Sequence, residues 1–434
     1  MNKQKRRTFL KLSGMAVTAG ALPFNIIHAH PASRKTNADT LKVGLIGCGG
    51  RGSGAANQAL NADPNVVLHA MADLFDDHLQ KSLANLKELH GDKANVSPEH
   101  QYIGFDAYKK VLASGVDVVI LATTPCFRPL HIEAAVEAGK HVFCEKPVAV
   151  DTPGLKRFLD AAKKAKAKNV SILSGFCWRF HEPKRATFGK INDGAIGKIM
   201  AVYNTYNTGA TYRSYQPEHP QLDNAEWQLR NWPFFNWLSG DHIVEQAVHS
   251  VDMMRWAYGD QLPISAVGTG GRQVRTGDKN GNIYDHFAIT YEFADGAKGF
   301  HLSRQQAGCE NSYAVESLGT KGRAMVNCSS NVHTITTGSK IWTYDGKQND
   351  MYQTEHDELF AAIRKGKTIS QGEDEALSTM IAILGRMVAY TGKKITWEEA
   401  MNSTEQLGPS IDNYNFNLNI PVTPVAMPGI TPFK

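Results

Sequence analysis

Two groups of ionisable side chains in this sequence have the composition and spacing that proton transfer requires. One is Glu145-Lys146, which ends a short apolar run. The other is Glu245, His249 and Asp252, which would share one face of a continuous helix. A carboxylate one turn from a histidine can fix the tautomer of the ring and raise its basicity. Both groups are therefore candidates for acid/base chemistry.

Simpler explanations exist for both groups. The pair Glu145-Lys146 could be a solvated strand end. Asp241 could cap a helix in which His249 is a hydrogen-bonded core residue. His242 lies near the same predicted face, so a metal site is a third alternative. We expect no metal, because the chemistry that the next motif indicates does not need one.

A glycine-rich loop follows the first strand pattern and begins the first helix pattern. In it, Gly47 permits a tight turn, Gly49 lets the backbone approach a pyrophosphate, and Gly52 allows close helix–strand packing. Glycines that merely form a turn are the alternative. The context favours a dinucleotide-binding loop, whose predicted cofactor residues are Gly47, Gly49, Gly50, Arg51 and Gly52.

Asp73 ends the second strand pattern, where a carboxylate can bind the ribose hydroxyls of a dinucleotide. The next residue is Leu74 rather than an arginine or lysine, so a 2′-phosphate would meet an uncompensated negative charge. The sequence therefore predicts NAD, with NADP less favoured.

The positions of the apolar runs predict an α/β protein. Short runs that are apolar on both faces alternate with amphipathic segments, as in a parallel sheet covered by helices. The predicted strands are 42–47, 66–73, 116–122, 141–145 and 170–175, and the predicted helices are 50–61, 74–89, 105–113, 129–138 and 152–168. We assign residues 40–176 to an N-terminal Rossmann domain that binds the dinucleotide.

After about residue 180, strand patterns follow one another without intervening helices. Such a pattern predicts a C-terminal α+β domain, residues 177–407, with an open and largely antiparallel sheet. Its predicted strands are 199–208, 264–268, 287–293, 297–303 and 312–318, and two late helices, 355–365 and 373–391, are expected to pack against the first domain. Residues 408–434, rich in Pro and Asn, are predicted to form an extended arm on this subunit or a neighbour.

The N-terminus carries the features of an export signal. Arg6-Arg7 and nearby lysines precede a mildly apolar run, so residues 1–32 resemble a twin-arginine signal peptide, and we expect a periplasmic or otherwise exported protein. An ordinary secretory signal is the alternative. No membrane-spanning segment is expected in the mature chain.

The distribution of charge argues against nucleic-acid binding, and the pattern of cysteines argues against disulfide bonds. Seven of the 47 basic residues and none of the 42 acidic residues precede Asp39, so the remaining chain is slightly acidic and nucleic-acid binding loses its electrostatic support. Among the six cysteines there is no CxxC pair, and Cys48, Cys144 and Cys177 lie in loop or strand patterns that suggest burial. We predict no disulfides.

These motifs together resemble the Gfo/Idh/MocA oxidoreductases. The glycine loop, Thr124-Pro125 with His131, Glu145-Lys146-Pro147 and the 245–252 segment occur in the order seen in that family, over about residues 40–400. The resemblance implies a Rossmann domain, an open-sheet domain and a nicotinamide cofactor contacting both. It also places further cofactor-binding residues at Thr123, Thr124, Pro125, His131, Glu145 and Lys146.

The same resemblance implies the roles of the candidate catalytic residues. Lys146 would lie beside the nicotinamide and the substrate hydroxyl, and His249 would act as acid/base in oxidation of a secondary alcohol. The family usually has Asp four residues before this histidine, whereas this chain has Glu245. One additional methylene changes the geometry of any hydrogen bond between the two side chains.

The region before His249 is aromatic and basic, which suits binding of a sugar-like substrate. About half of its aromatic residues are expected to be core. The residues predicted to bind substrate are Arg179, Tyr212, Arg213, Trp227, Arg230 and Asp252. The expected substrate is a sugar, a glycoside or a cyclitol.

An exported enzyme would have no ready pool of free dinucleotide. We therefore expect a tightly bound cofactor that is recycled in the site. Separately, we expect the protein to be a homo-oligomer. The first alternative is a redox-neutral, NAD-dependent glycosidase that works by oxidation, elimination, hydration and reduction. The second is a non-catalytic protein that binds a dinucleotide or another ligand.

Overall fold

The computed structural model describes residues 39–211, 223–409 and 414–434. Within these ranges the chain forms two β-sheets, one of six strands and one of nine. The first sheet is built by the N-terminal part of the chain and the second by the part after residue 198. The predicted α/β class, a Rossmann domain followed by a domain with an open and largely antiparallel sheet, is confirmed.

The six-stranded sheet is parallel throughout, in the order β3-β2-β1-β4-β5-β6. Val43 in the central strand pairs with Leu68 on one side and Val118 on the other, and all three are buried. The strands are β1 Leu41–Ile46, β2 Val66–Asp73, β3 Gln101–Ile103, β4 Val118–Leu121, β5 His141–Cys144 and β6 Ile172–Ser174, and the helices are α1 Gly50–Ala62, α2 Asp76–His90, α3 Ala107–Ala113, α4 Arg128–Glu137 and α5 Thr152–Ala167.

All five strands and all five helices predicted for this domain are present, with ends that differ by at most two residues. The sixth strand, β3, was not predicted. It has three residues, of which two are half-buried and one is exposed, so it carries no hydrophobic period from which a strand could be recognised.

The nine-stranded sheet has the order β14-β13-β12-β11-β7-β10-β9-β8-β15. Only the β7–β10 pair is parallel, and the remaining pairs are antiparallel. The strands are β7 Ile199–Thr208, β8 Ser265–Gly271, β9 His286–Glu292, β10 Lys298–Gln305, β11 Ser312–Gly319, β12 Arg323–Asn327, β13 Val332–Thr337, β14 Lys340–Thr343 and β15 Ile395–Thr396. The helices are α6 Glu182–Asn192, α7 Ala225–Arg230, α8 Asn236–Ser239, α9 His242–Glu245, α10 Val248–Ala257, α11 Met351–Arg364, α12 Gly372–Thr391 and α13 Trp397–Asn402.

The two late helices join the domains, as predicted. Helix α11 packs against α1, and α12 packs against both α5 and the second sheet. Most residues of α12 are buried, which its apolar character on all sides requires. At Gly385 an added Cβ would lie 2.3 Å from the Tyr291 hydroxyl oxygen, so the helix needs a glycine at this contact.

The described part of the C-terminal arm, residues 408–409 and 414–434, lies on its own chain. The Ile420 amide donates to the Asp223 carbonyl over 2.8 Å, and the Tyr284 hydroxyl donates to the Ala426 carbonyl over 2.8 Å. At the end of the chain the Lys434 carbonyl accepts a hydrogen bond from Ser403. The arm contains no helix in this range, as its Pro and Asn content predicted.

Neither disulfide bonds nor membrane-spanning helices are present in the described ranges. All six cysteines lie in the described ranges as free thiols, and Cys48, Cys144 and Cys177 are buried as expected. Among the helices of the described ranges, none has both the length and the apolar character that crossing a bilayer requires.

The packing of α1 against the glycine loop provides a stability test with a matched pair of substitutions. In Gly52→Ala the new Cβ would lie 1.9 Å from the Gly47 carbonyl oxygen, so we expect the free energy of unfolding to fall by about 1–3 kcal/mol. In Gly54→Ala, on the same helix, the nearest atom is Nη1 of Arg51 at 3.4 Å. That variant should gain up to about 1 kcal/mol from helix propensity. Urea unfolding measures both, and equal effects would contradict the packing described here.

Candidate active site

A cavity of about 430 Å³ lies where strands β1, β2, β4 and β5 end. The carboxyl edge of a parallel sheet is where ligands bind in open α/β folds. Residues of the second sheet domain form the opposite wall of the cavity. The predicted residues that line it are Gly47, Gly49, Arg51, Asp73, Thr123, Thr124, His131, Glu145, Lys146, Glu245 and His249.

The glycine loop has the backbone that a phosphate site needs. Gly47 has a φ of 97°, a conformation that favours glycine, and a Cβ there would meet the backbone of Ala122 at 2.6 Å. A Cβ on Gly49 or Gly50 would meet no atom within 4 Å. Gly49 faces the cavity, Gly50 begins α1, and Gly52 is packed beneath the loop. The amide groups at the start of α1 therefore border a space open to an anion.

Asp73 is fixed by two backbone amides. Its Oδ2 accepts from Cys48 N over 2.6 Å and its Oδ1 accepts from Phe75 N over 2.9 Å. The neighbouring His78 lies 3.6 Å away, and hydrogen bonding to Asp73 raises the pKa of that imidazole. The carboxylate is thus held in one orientation at the cavity wall, with lone pairs left for ligand hydroxyls.

Glu145 and Lys146 leave the end of β5 in different directions. Glu145 is buried and accepts a hydrogen bond from Arg51 Nε over 2.6 Å, which ties the glycine loop to the next motif. The Lys146 ammonium donates to the backbone carbonyl of Glu245 in the second sheet domain. The structure therefore excludes the solvated strand end as the explanation of this pair.

The segment from Glu245 to Asp252 is not the continuous helix expected from its spacing. Helix α9 ends at Glu245, Gln246 has φ −120° and ψ −55°, and α10 begins at Val248. His249 Nδ1 is buried without a hydrogen-bond partner among the described residues, so Glu245 does not fix its tautomer through that atom. The expectation that Glu245 lies one turn before His249 on a continuous helix and fixes the tautomer of its ring is therefore wrong. Both side chains nevertheless line the cavity.

The charges of the cavity favour a neutral histidine. Burial lowers the pKa of His249 well below its usual value, and the Lys146 ammonium lowers it further. Burial also lowers the pKa of Lys146, an effect that Glu245 opposes. For Glu245 itself, burial raises the pKa and Lys146 opposes the rise. A neutral imidazole and an ammonium thus lie in one cavity, which suits proton acceptance next to a stabilised oxyanion.

Two family models match the regions that form this cavity. Residues 41–173 match the GFO_IDH_MocA model, described as an oxidoreductase family with an NAD-binding Rossmann fold, and residues 189–325 match the GFO/IDH/MocA C-terminal domain. Together they span more than half of the chain. The chain belongs to the Gfo/Idh/MocA family. It is an NAD-dependent oxidoreductase.

Individual relatives and solved structures agree with this assignment. Myo-inositol 2-dehydrogenase of Thermotoga maritima is 24% identical over 375 residues, which cover 85% of this chain and 99% of that protein. The aldose-aldose oxidoreductase structure from Caulobacter crescentus has a TM-score of 0.66 at 17% identity, covering 82% of this chain and 99% of the other. A levoglucosan dehydrogenase structure with NADH and levoglucosan has a TM-score of 0.64 at 19% identity, with the same coverage. At these identities the structural matches show the fold.

The family segment after β4 packs mainly through buried groups. Thr123 and Thr124 line the cavity, Pro125 is buried beside them, and the Thr123 hydroxyl lies 3.2 Å from His131 Nδ1. Burial lowers the pKa of His131 to about 3. Arg128, which sequence reasoning missed, donates to the Thr123 carbonyl and also faces the cavity.

Three further residues that were not predicted as site residues line the cavity. Gln246 accepts a 2.6 Å hydrogen bond from Gln305 through its Oε1, which leaves its amide nitrogen available to the cavity. Tyr206 lies on β7, and Tyr352 on α11 has the Arg51 guanidinium 4.9 Å above its ring. Tyr206 belongs to the aromatic run noted in the sequence. Gln246 lies inside the 245–252 motif, next to Glu245, whereas Tyr352 carried no signal because only the tertiary fold brings it to the cavity.

Arg179 and Asp252 do not line the cavity, contrary to their predicted role in binding substrate. Arg179 makes an ion pair with Asp252 at 2.8 Å and another with Asp260 at 2.6 Å. Asp252 also accepts from Ser378 over 2.7 Å and is buried. A buried carboxylate satisfied in this way stabilises the packing of α10 and is not free to bind a sugar.

Trp227 and Arg230, also predicted to bind substrate, do not line the cavity with Lys146 and His249. Trp227 is buried in the core with Phe235, 5.5 Å between ring centroids. Arg230 pairs with Asp77 at the start of α2 and lies 3.8 Å above the Phe75 ring. Arg230 is therefore near the Asp73 end of the cavity, and neither residue lines the cavity. The other two predicted substrate residues, Tyr212 and Arg213, fall outside the described residues.

Proposed function

We propose that this oxidoreductase oxidises a secondary hydroxyl group of a sugar, a glycoside or a cyclitol. The observation that carries the proposal is that Lys146 and His249 line the same cavity as the glycine loop. The names of the relatives support the substrate class, since inositol 2-dehydrogenase and levoglucosan dehydrogenase act on polyhydroxylated rings.

The residues present fit NAD. An open space faces Gly49 at the start of α1, which suits a pyrophosphate, and Asp73 presents a fixed carboxylate, which suits ribose hydroxyls. The carboxylate has Leu74 beside it in the cavity wall, an arrangement that favours NAD over NADP. When bound, the nicotinamide supplies the hydride acceptor that alcohol oxidation needs.

The chain contributes proton transfer and charge stabilisation. His249, kept neutral by burial and by nearby cations, accepts the proton of the substrate hydroxyl. Lys146, held by the Glu245 carbonyl, stabilises the negative charge that develops on the oxygen. Gln246 and Tyr206 present an amide and a phenol to the same space and can orient neighbouring hydroxyl groups.

Substitutions at the catalytic pair test the proposal. Lys146→Met and His249→Ala should each lower the turnover of a polyol or glycoside substrate about 10²–10⁴-fold, because each removes one of the two groups that act on the hydroxyl. NAD binding, measured by calorimetry, should change much less. Lys163→Met, on the exposed surface, is the control. Full activity in both site variants would refute the assignment, and glycoside cleavage without accumulated NADH would indicate the redox-neutral route instead.

The pKa of His249 gives a separate prediction for the pH profile. A base must be unprotonated to accept a proton, and the pKa of His249 lies well below 6.5. In the oxidation direction, kcat/KM should therefore stay level as the pH falls through 6.5 and decrease only at more acidic pH. In Lys146→Met the residual activity should decrease at a higher pH, because the repulsion by the ammonium is gone. Circular dichroism at each pH checks folding, and a wild-type midpoint near 6.5 would contradict the prediction.

We also propose that the protein is exported through a twin-arginine-type signal and retains its cofactor. The support is the paired Arg6-Arg7 near the N-terminus and the scarcity of free dinucleotide outside the cytoplasm. We propose in addition that the protein forms a homo-oligomer. Tyr203, Phe300 and Val267 lie in one row of the second sheet, each more than a third exposed, and a second copy of the chain would cover them.

The protein purified from the periplasm of an expressing cell tests these proposals together. Mass spectrometry should find a shortened N-terminus and about one NAD per chain. Turnover should not need added NAD when a second sugar with a reducible carbonyl group is supplied to take the hydride back from the bound cofactor. Arg6→Lys combined with Arg7→Lys should leave the protein in the cytoplasm. The molar mass of the same preparation should exceed that of one chain. Apoprotein that works only with free NAD would overturn tight retention, and a monomer would overturn the oligomer.

A further inference from the structure

The C-terminal arm carries a short alternating pattern that the function above does not explain. From Tyr414 to Ile420 the sequence alternates apolar residues with asparagines. The apolar residues at even positions are half-buried or buried, and the asparagines between them are exposed. A two-residue period of this kind marks a chain that lies with one face on a surface.

The surface beneath this segment is the outer wall of the cofactor cavity. The Phe416 ring lies 4.9 Å from Phe105 and 5.7 Å from Phe75, and the Tyr414 ring lies 5.1 Å from Phe127. All three phenylalanines on the Rossmann side line the cavity. Phe75 is two residues after Asp73, the carboxylate that suits the ribose hydroxyls. We therefore call the part of the cavity next to Asp73 and this wall the adenosine end.

A second segment covers the same end from the other side and is bonded to the arm. Gln228 Nε2 donates to the Ile420 carbonyl over 2.6 Å, and the Ile420 amide donates to the Asp223 carbonyl. Leu229 and Trp232 of this segment line the cavity. The segment is in turn tied to the Rossmann domain by the ion pair between Arg230 and Asp77.

We propose that arm residues 414–420 act with residues 223–232 as a strap that retains the cofactor by its adenosine end. The inference rests on the function proposed above and adds the structural means of retention. Both segments cross from the second sheet domain to the wall beside Asp73. The adenosine end cannot open to solvent until the aromatic contacts of Tyr414 and Phe416 and the hydrogen bonds of Ile420 separate.

The strap is remote from the chemistry. Lys146 follows β5 and donates to the Glu245 carbonyl, and His249 lies on α10 beside Phe176 and Trp178, so neither contacts the strap through these groups. The arm therefore controls how fast the dinucleotide leaves, and not how the substrate hydroxyl is deprotonated. Retention of this kind is what a cofactor reoxidised within the site requires.

The test compares Phe416→Ala with Asn417→Ala in the full-length protein. Phe416→Ala removes two aromatic contacts with the wall, so the bound dinucleotide should dissociate about tenfold faster or more. The rate is measured on protein loaded with NADH, as the release of NADH after excess NAD is added. The purified variant should contain less NAD than the wild type, and its turnover should depend on added NAD. Asn417→Ala removes an exposed side chain from the same segment and should match the wild type.

A second variant distinguishes opening of the strap from a general loss of structure. Arg230→Met breaks the ion pair to Asp77 without changing the arm, and it should also accelerate dissociation of NAD. Equal dissociation rates in wild type, Phe416→Ala and Arg230→Met, with normal turnover, would overturn the strap and leave the proposed function intact. If the wild type neither binds NAD nor oxidises any polyol, the proposed function fails as well.

Discussion

The ammonium group of Lys146 donates to the backbone carbonyl of Glu245, and this bond joins the two domains at the cavity in which we propose that the chemistry takes place. Lys146 follows the last residues of a buried parallel strand, and Glu245 ends a short helix of the second sheet domain. Neither domain alone forms the cavity. The position of the ammonium therefore depends on how the domains pack.

That packing is provided by helices from late in the sequence. Helix α12 lies between α5 and the second sheet, and α11 covers α1 next to the glycine loop. Because α12 is apolar on all sides, displacing it would expose a large apolar surface. The cavity is consequently bounded by segments far apart in sequence, and Tyr352 reaches the site only because α11 returns to the Rossmann domain.

The electrostatic properties of the site follow from its burial. An imidazole surrounded by Trp178, Phe176 and nearby cations is driven to its neutral form, since protonation would place a further positive charge where water cannot solvate it. The same burial lowers the pKa of Lys146. Base and ammonium can therefore coexist in one cavity without a carboxylate bonded to the Nδ1 of the histidine.

The sequence predicted those features that depend on local pattern. The parallel strands, their helices and the glycine loop are encoded by hydrophobic period and by glycine positions, and both were predicted closely. The relation of Glu245 to His249 was wrong because spacing alone cannot reveal the irregular backbone at Gln246. Arg179 was placed in the site because a basic residue near a motif carries no sign of the buried Asp252 that it neutralises.

The aromatic run before His249 shows a further limit of such reasoning. Aromatic and basic residues were expected to contact a sugar, yet Arg230 lies over the ring of Phe75, near the Asp73 end of the cavity. The composition of a segment indicates that it can bind a flat or polar ligand, but it does not indicate which end of an elongated cavity the segment reaches. The position of this segment depends on tertiary contacts, among them the ion pair between Arg230 and Asp77 and the antiparallel bridge between Asn224 and Asn419, which are almost two hundred residues apart.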